Sequence, residues 1–427
     1  MYRRVAILAV VAVLALAACT TTKDENTDDD GGGPAGESGE SGETGEQERT
    51  TRGVTDSSVT VGGILYGLNF GGADVGAAAR FDRANAEGGV HGRTIEFLGA
   101  ADDNSDSSAS LAEAQRLVRQ EGVFAIVPVT TASLSADFMI DENVPFFGWG
   151  ISPAFCGNEV GFGFTGCVTD PELERGSNAF GVVLAEHFDG DTDKSVALIA
   201  EDNDAGEGGL RLLSSSVEDQ GFEVVYSEAA IPAPPATVGD YTPFVNELLT
   251  SNEGEPPDVI MLTVSVANVV GLSDALQGVY DGLVVSPFYD PRLVSNPAFE
   301  GQAILTQILP YEYADENALL GQMVDDIEAY DEANGTDTQL TLAVAAGYWS
   351  ADQFLALLEE TGEDLTVENF LAAQEGWEYE VEGVVGKSSW PQNHDSPVPC
   401  AAFSIVEDGA YLPDIALTCG EVIEIPE

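Results

Sequence analysis

The feature that most constrains this fold is an alternation of two kinds of segment from Val59 onward. Short apolar runs rich in β-branched residues alternate with longer amphipathic stretches, which predicts βαβ units and parallel-rich sheets. The apolar runs predict strands at 59–65, 95–98, 124–127, 144–147, 196–200, 223–226, 259–262, 283–286 and 303–308. The late segments 316–334, 347–360 and 366–374 are predicted helices. Two sets of about four or five strands, each with its own helices, predict an α/β fold with two lobes of similar build.

The N-terminus has the pattern of an export signal. Arg3 and Arg4 precede an apolar run at 5–17 that is too short to span a bilayer, and small residues lead to Cys19. This resembles the lipobox of bacterial lipoproteins, which implies that 1–18 is a signal peptide and that Cys19 carries acyl chains holding the protein on a membrane. The alternative is a signal peptide that ends near a cysteine by chance.

Residues 19–55 predict a disordered acidic tether. This segment contains three consecutive aspartates, three consecutive glycines and a Gly-Glu-Ser-Gly-Glu repeat. Residues 20–52 contain no large apolar side chain, so burial cannot offset the entropy of ordering them.

The charge balance excludes some partners. The chain has 15 basic and 74 acidic residues, a formal net charge of -59, with lysine only at 23, 194 and 387. Nucleic acids and anionic lipid surfaces require basic patches, so neither is an expected electrostatic partner. The charge suits a protein kept soluble in a salty medium, and attraction of cationic solutes is the less favoured interpretation.

Four further cysteines, at 156, 167, 400 and 419, agree with an oxidising compartment. Three pairings are possible, and we favour the local ones, Cys156 with Cys167 and Cys400 with Cys419. Zinc is disfavoured because the chain lacks a Cys-x-x-Cys pattern and its three histidines lie far apart.

Two motifs suggest other chemistry without supporting it. Residues 161–166 satisfy G-x-G-x-x-G, but no predicted helix follows, so dinucleotide binding is not expected. Asp102 to Asp106 places oxygen ligands at calcium-loop spacing, with Glu113 at position 12, but Ser107 stands where the loop needs glycine. Capping of a helix N-terminus explains this acidic cluster better, and whether calcium binds stays open.

The chain contains no nucleophile elbow, P-loop or H-E-x-x-H pattern. We therefore assign no catalytic residue, metal or cofactor. A surface hydrolase using paired carboxylates stays as the alternative, because some of the 74 acids would meet in any fold.

Residues 62–106 have a pattern specific enough to compare with a known family. A predicted strand, a glycine-bearing loop and a helix are followed by Asn85-Ala86-Glu87-Gly88-Gly89 and then by Gly92-Arg93. This region resembles the type I periplasmic solute-binding proteins of the leucine/isoleucine/valine-binding family. Weaker similarities continue to the C-terminus. The resemblance implies an α/β fold of two Rossmann-like lobes with parallel-rich sheets, joined by a three-crossover hinge. It places the first lobe at 57–167 with 311–386 and the second at 168–310 with 387–427.

The resemblance also implies site residues. Thr130 and Thr131 match the family's Ser/Thr pair, and the segment Gly150-Ile151-Ser152 matches one that holds a ligand carboxylate. Strand ends are where open α/β sheets bind ligands, although ordinary helix capping also explains these hydroxyls.

The second lobe departs from the amino-acid binders of this family. Ala205 and Ser265 stand where those proteins have aromatic residues, and Phe288 stands where they have the acid that pairs with an α-ammonium group. Tyr289 and Asp290 lie beside it and would substitute after a register shift. A branched-chain amino acid is therefore in doubt as the ligand. We expect Trp149, Phe288 and Tyr289 to wall a pocket for a larger or more aromatic solute.

The sequence thus predicts a monomeric, lipid-anchored, extracytoplasmic receptor without enzymatic activity. Its expected partners are a small-molecule solute, such as an amino acid, amide or organic acid, and an ABC transporter permease. A ligand sensor with the same fold is a further alternative.

Overall fold

The computed structural model describes residues 51–425. The predicted signal peptide, Cys19 and the tether up to residue 50 lie outside the described residues. Ordered contacts begin before the expected boundary at residue 57, since Arg52 Nε donates a hydrogen bond to the Val123 carbonyl at 2.7 Å. No helix in the described part is long and apolar enough to cross a membrane.

The first lobe is built on a parallel five-stranded sheet of order β2-β1-β3-β4-β5. Its strands are β1 (Ser58–Leu65), β2 (Thr94–Asp102), β3 (Ala125–Thr130), β4 (Phe146–Gly148) and β5 (Gly161–Gly163). The helices between them are α1 (Gly67–Phe70), α2 (Ala73–Ala86), α3 (Ser107–Arg116) and α4 (Asp137–Asp141). A π-helical turn, Leu117–Glu121, continues α3.

The next segment supplies most of the second lobe. Its strands are β6 (Arg175–Ser177), β7 (Ser195–Glu201), β8 (Glu223–Ile231), β9 (Val259–Thr263), β10 (Leu283–Ser286) and β11 (Ala303–Thr306). Its helices are α5 (Ala179–His187), α6 (Asp204–Asp219), α7 (Thr242–Leu248) and α8 (Val266–Leu276). Strands β7 to β11 pair in parallel, as the alternation predicts.

The C-terminal part returns to both lobes. Its helices are α9 (Ala318–Asn334), α10 (Leu342–Thr361) and α11 (Val367–Ala372). Its strands are β12 (Glu378–Val381), β13 (Val385–Ser389), β14 (Cys400–Glu407), β15 (Ala410–Cys419) and β16 (Val422–Glu424). Strands β14 and β15 add antiparallel to the second sheet, whose order is β15-β14-β11-β10-β9-β7-β8.

The sequence prediction missed the antiparallel strands β12 to β16. A hairpin signal was present at the β14–β15 turn, where Asp408 and Gly409 both have positive φ, 52° and 75°. The hairpin is also closed covalently, because Cys400 bonds to Cys419. The second disulfide joins Cys156 to Cys167, so both local pairings are confirmed.

The chain crosses between the lobes where three segments lie side by side. Cys167 donates a backbone hydrogen bond to the Asn393 carbonyl at 3.0 Å, and Leu309 donates one to the Val384 carbonyl at 2.9 Å. The structure therefore shows a parallel-rich α/β fold of two lobes joined through adjacent crossovers.

Helix α10 is buried along most of its length in the core of the first lobe, and its exposed residues, Glu359 and Glu360, lie near its C-terminal end. This helix packs against α2 on one side and against β3 and β4 on the other. Phe354 on α10 contacts the rings of Phe81, Phe124 and Phe147 at centroid distances of 5.4–6.4 Å. Because most of its surface is covered by these elements, polar residues are few along this helix.

The glycine motif at 161–166 and the acidic segment at 102–106 both have structural roles. In the glycine motif, residues 161–163 form β5 and Gly166 turns back with a φ of 74°, so no helix opens there. In the acidic segment, Asp102 accepts hydrogen bonds from the backbone N–H groups of Gly67 and Asn104, and Asp106 caps α3 through the Ala109 N–H. Within residues 51–425 no group of acidic, histidine or cysteine side chains is arranged to hold a metal.

Candidate functional site

A cavity lies between the lobes, at the carboxyl ends of strands from both sheets. Its volume is about 200 Å³. The first lobe contributes side chains that follow β1 to β4, namely Tyr66, Asn69, Phe70, Ser105, Ala132, Trp149 and Ile151. The second lobe contributes residues at or after the ends of its parallel strands, among them Glu201, Thr263, Ser265, Ser286, Phe288 and Gln307. This is the place where open α/β sheets bind ligands.

Three aromatic side chains line one side of the cavity. The Phe70 ring meets Trp149 edge to face, with centroids 5.8 Å apart, and it meets Phe288 at 6.4 Å. Phe70 and Trp149 come from the first lobe, and Phe288 comes from the second. The two lobes therefore touch through an aromatic contact at the cavity.

A polar contact also crosses the cleft. The side-chain oxygen of Asn69, on α1, accepts a hydrogen bond from the backbone N–H of Val266, the first residue of α8, at 3.3 Å. Together with the aromatic contact it holds the first lobe against the N-terminus of α8.

Trp149 and Gln307 orient one another. The indole Nε1–H of Trp149 donates to Gln307 Oε1 at 2.9 Å. Because the amide oxygen is engaged, the NH₂ group of Gln307 is the part left for another partner.

The carboxylate of Glu201 stands at the end of β7. Its Oε1 accepts from the backbone N–H of Ser265 at 2.8 Å and from Asn268 Nδ2 at 2.6 Å. Burial, together with the negative charges of Glu201, Asp102 and Asp103, raises the pKa of Tyr66, whose side chain also lines the cavity. Tyr66 consequently stays protonated at neutral pH and presents a hydroxyl donor.

Four polar atoms of cavity-lining residues are buried and make no hydrogen bond within the protein. They are Thr169 Oγ1, Thr263 Oγ1, Ser286 Oγ and Gln307 Nε2. Buried polar groups of native proteins nearly always have a partner. These four atoms belong to residues that line one cavity, which makes them candidate partners for the polar atoms of a bound molecule.

The structure brings only part of the predicted site to the cavity. The predicted residues that line it are Trp149, Ile151, Ala205, Ser265 and Phe288. The other predicted ligand-binding residues, Thr130, Thr131, Gly150, Ser152, Tyr289 and Asp290, lie outside this lining.

The first-lobe hydroxyls outside the lining are buried. Those of Thr131 and Ser152 cap local turns, whereas Thr130 Oγ1 makes no hydrogen bond within the protein. Thr131 accepts a hydrogen bond from the Ser133 N–H at 3.1 Å, and Ser152 caps the turn at Pro153–Phe155. Thr130 is the last residue of β3 and is fully buried. Gly150 packs so closely on the Gly166 carbonyl that a Cβ there would lie 1.7 Å from its oxygen.

Tyr289 and Asp290 are engaged elsewhere. The Tyr289 hydroxyl donates to Glu312, and its ring stacks on Tyr411 with centroids 4.1 Å apart. Asp290 accepts from Arg292 Nε at 2.9 Å. At the cavity itself the carboxylate comes from Glu201 instead.

Several lining residues were not predicted, although a signal existed for some. Glu201 and Thr263 directly follow the predicted strands 196–200 and 259–262, so the strand-end rule would have found them. Phe180 and Leu212 gave no such signal, because apolar residues on α5 and α6 look like ordinary core.

The paired carboxylates of a hydrolase are not assembled here. Among the described residues that line the cavity, Glu201 is the only acidic side chain. Its Oε1 is already held by two donors.

Comparison with known proteins agrees with this geometry. The family model described as periplasmic binding protein matches residues 64–410. No curated protein matches the chain.

Solved structures share the fold at low sequence identity. A fatty acid ABC transporter substrate-binding protein from Thermomonospora curvata is 18% identical, with a TM-score of 0.69, covering 88% of this chain and 97% of its own. An ABC transporter solute-binding protein from Rhodopseudomonas palustris BisB5, in complex with 3,4-dihydroxybenzoic acid, is 18% identical, with a TM-score of 0.61 and coverages of 87% and 99%. A leucine-binding protein from Thermotoga maritima is 18% identical, with a TM-score of 0.59 and coverages of 86% and 99%.

Proposed function

Because the chain belongs to the periplasmic binding protein family, we propose that it is an extracytoplasmic receptor that delivers a small solute to the permease of an ABC importer. The observation that carries this proposal is the cavity at the strand ends of both sheets, with four buried polar atoms that lack partners. Such a receptor binds by closing its lobes and performs no reaction.

The chemistry of the walls narrows the solute class. Aromatic and aliphatic side chains provide most of the lining, and the unpaired polar atoms are few. The structural relatives are named for fatty acid, 3,4-dihydroxybenzoic acid and leucine, each of which joins a carboxyl group to an apolar part. We propose an organic acid, amide or amino acid with a substantial apolar part.

The lobe boundaries and the anchor belong to the same proposal. We assign the first lobe to 57–167 with 311–386 and the second to 168–310 with 387–427. The membership of β1 to β5 in one sheet and of β7 to β11, β14 and β15 in the other supports this division. We further propose that the receptor works as a monomer tethered through an acylated Cys19. A Cys19→Ser variant is then expected to be released from the membrane fraction.

Ligand-induced stabilisation tests the receptor function. The purified protein is heated with leucine, benzoate, 3,4-dihydroxybenzoate and decanoate in turn. A ligand at one hundred times its Kd stabilises the folded state by about 2.7 kcal/mol, which raises the melting temperature measurably.

A matched pair of variants locates the binding. Ile151→Trp fills space at the cavity wall and is expected to abolish the shift. Val279→Trp places the same ring on the exposed surface, where Val279 is 59% accessible, and is expected to keep it. Absence of any shift, or an unchanged shift in Ile151→Trp, would contradict the proposal.

A further inference from the structure

The cavity does not end at the cleft but continues into the core of the second lobe. Seven of its lining residues belong to the hydrophobic cluster that packs α5 and α6 against the second sheet: Val168, Phe180, Leu212, Leu213, Met261, Val285 and Leu305. We call this part the apolar branch. Protein cores are close-packed, with few voids larger than a water molecule. Space lined by core residues and continuous with the cleft therefore suits an apolar group that enters from outside.

The register of two strands separates polar from apolar lining. Along β9, Met261 and Thr263 share a face, because side chains alternate between the two faces of a sheet. Along β11 and its continuation, Leu305 and Gln307 are related in the same way. In each pair the apolar residue lies within the strand and the polar residue lies at its carboxyl end. The polar atoms are consequently at the mouth and the apolar branch lies below them.

The unpaired polar atoms at the mouth of the apolar branch can donate hydrogen bonds. Gln307 Nε2 can only donate, as an amide NH₂ group does, and the hydrogen bond from Trp149 to Gln307 Oε1 fixes the orientation of the amide. The free hydroxyls of Thr169, Thr263 and Ser286 can each donate as well. Among the described lining residues there is no arginine, lysine or histidine, and Glu201 supplies a negative charge. The matching head group is one whose oxygen atoms accept hydrogen bonds from neutral donors.

We propose that the ligand is a hydrocarbon chain that ends in an acyl head, a carboxyl or carboxamide group, and that the chain occupies the apolar branch. This rests on the receptor function proposed above and specifies its ligand. The acyl oxygens accept hydrogen bonds from Gln307 and the three hydroxyls. The chain lies between α6 and the sheet, with Phe180 of α5 among the walls of the branch.

The close approach of α6 to the sheet depends on a glycine on this helix, Gly209. At Gly209 an added Cβ would lie 2.7 Å from the Thr263 methyl group, so a side chain at this position would press on the mouth. Both residues line the cavity. A glycine here leaves Thr263 in place beside the entrance of the apolar branch.

Calorimetric titration with a homologous series tests the proposal. The ligands are straight-chain acids of four to twelve carbons, each below its micellar concentration, with the amide and the amine of one length for comparison. Each added methylene is expected to tighten binding about fourfold, as burial of about 0.8 kcal/mol per CH₂ implies, until the branch is full. Acid and amide are both expected to bind, the uncharged amide more tightly because Glu201 repels a carboxylate. The amine has no acceptor for Gln307 and is expected to bind more weakly than the amide.

Variants move the length optimum in opposite directions. Val168→Phe narrows the branch and is expected to shift the optimum to shorter chains, whereas Phe180→Leu enlarges it and is expected to shift the optimum to longer ones. Thr263→Val is expected to weaken every acid severalfold without moving the optimum, because it removes one hydroxyl at the mouth. Val279→Phe, at an exposed position, is the control.

The outcomes separate this inference from the receptor function. Tight binding of leucine or benzoate with no dependence on chain length would overturn the hydrocarbon ligand and leave the receptor function standing. An amine that binds as tightly as the amide would overturn the acyl head. Absence of binding by every ligand, including leucine and benzoate, would count against the receptor function itself.

Discussion

Replacement of His394 is expected to change how the stability of this protein depends on pH. The imidazole is 4% exposed and lies against Trp390 and Phe162, with ring centroids 4.6 and 5.4 Å away. Its Nε2 is 2.6 Å from Gln374 Oε1. Burial lowers the pKa of His394 from 6.5 to about 4, and a backbone contact with Gly161 opposes this only in part.

The sign of the effect follows from proton binding. Between pH 6.5 and about 4 the unfolded chain holds a proton on this histidine, whereas the folded protein does not. Stability is therefore complete above pH 6.5 and falls as the pH is lowered toward 4. A shift of this size corresponds to about 3 kcal/mol, since one pKa unit is worth about 1.4 kcal/mol.

The measurement compares wild type with His394→Gln by urea unfolding at constant salt and at pH steps from 7.5 to 4. The variant is expected to be less stable at pH 7 because its core contacts change. Its deficit is expected to shrink by about 3 kcal/mol by pH 4, since it has no imidazole to protonate. His91→Gln makes the same exchange at an exposed position and serves as the control. A deficit that stays constant across the whole pH range would refute the reasoning.

Three further predictions concern stability. Replacing Cys400 and Cys419 together with serine is expected to lower the free energy of unfolding by about 3 kcal/mol, because the disulfide closes a loop with a sequence separation of 19; an equal midpoint in oxidised and doubly substituted protein would contradict this. Gly208→Ala is expected to cost about 1–3 kcal/mol in urea unfolding, because its Cβ would lie 2.7 Å from the Asp170 backbone nitrogen, whereas Gly239→Ala, which meets no atom within 4 Å, is expected to cost far less. Because the chain has a net charge of -59, its melting temperature is expected to rise between 0.05 and 1 M NaCl as salt screens the repulsion between its acidic groups. A melting temperature that does not change with salt would argue against this repulsion as a cause of instability.

Much of the fold could be predicted because its signals are local. The strand at 283–286 and the cap at Asp106 follow from apolar patterning and capping chemistry that a few neighbouring residues determine. Strand β15 was missed because its pattern is interrupted by Pro413 and Asp414 and it lies at a sheet edge. Its pairing with β14 also depends on the Asp408-Gly409 turn, which indicates a β-hairpin and not a βα unit.

The site was less predictable than the fold. Trp149 and Ser265, to which the family resemblance pointed, line the cavity. Strand ends indicate where a ligand is expected to bind. They do not identify which side chains face the cavity. Thr131 and Asp290 also follow strands of the two sheets, but neither side chain lines the cavity. Thr131 is fully buried, and Asp290 is paired with Arg292.

The sequence by itself determined that this chain forms parallel βα units and carries a strongly negative charge, because each property depends on residue type and short-range spacing. It favoured two local disulfides, but the choice among the three possible pairings was made by the tertiary structure. Only the tertiary structure decided that α6 lies over β9 with space left beneath it, and that Trp149 reaches Gln307. These contacts join residues more than a hundred positions apart or depend on how a whole helix packs. Their geometry is set by packing across the molecule, which no local pattern records.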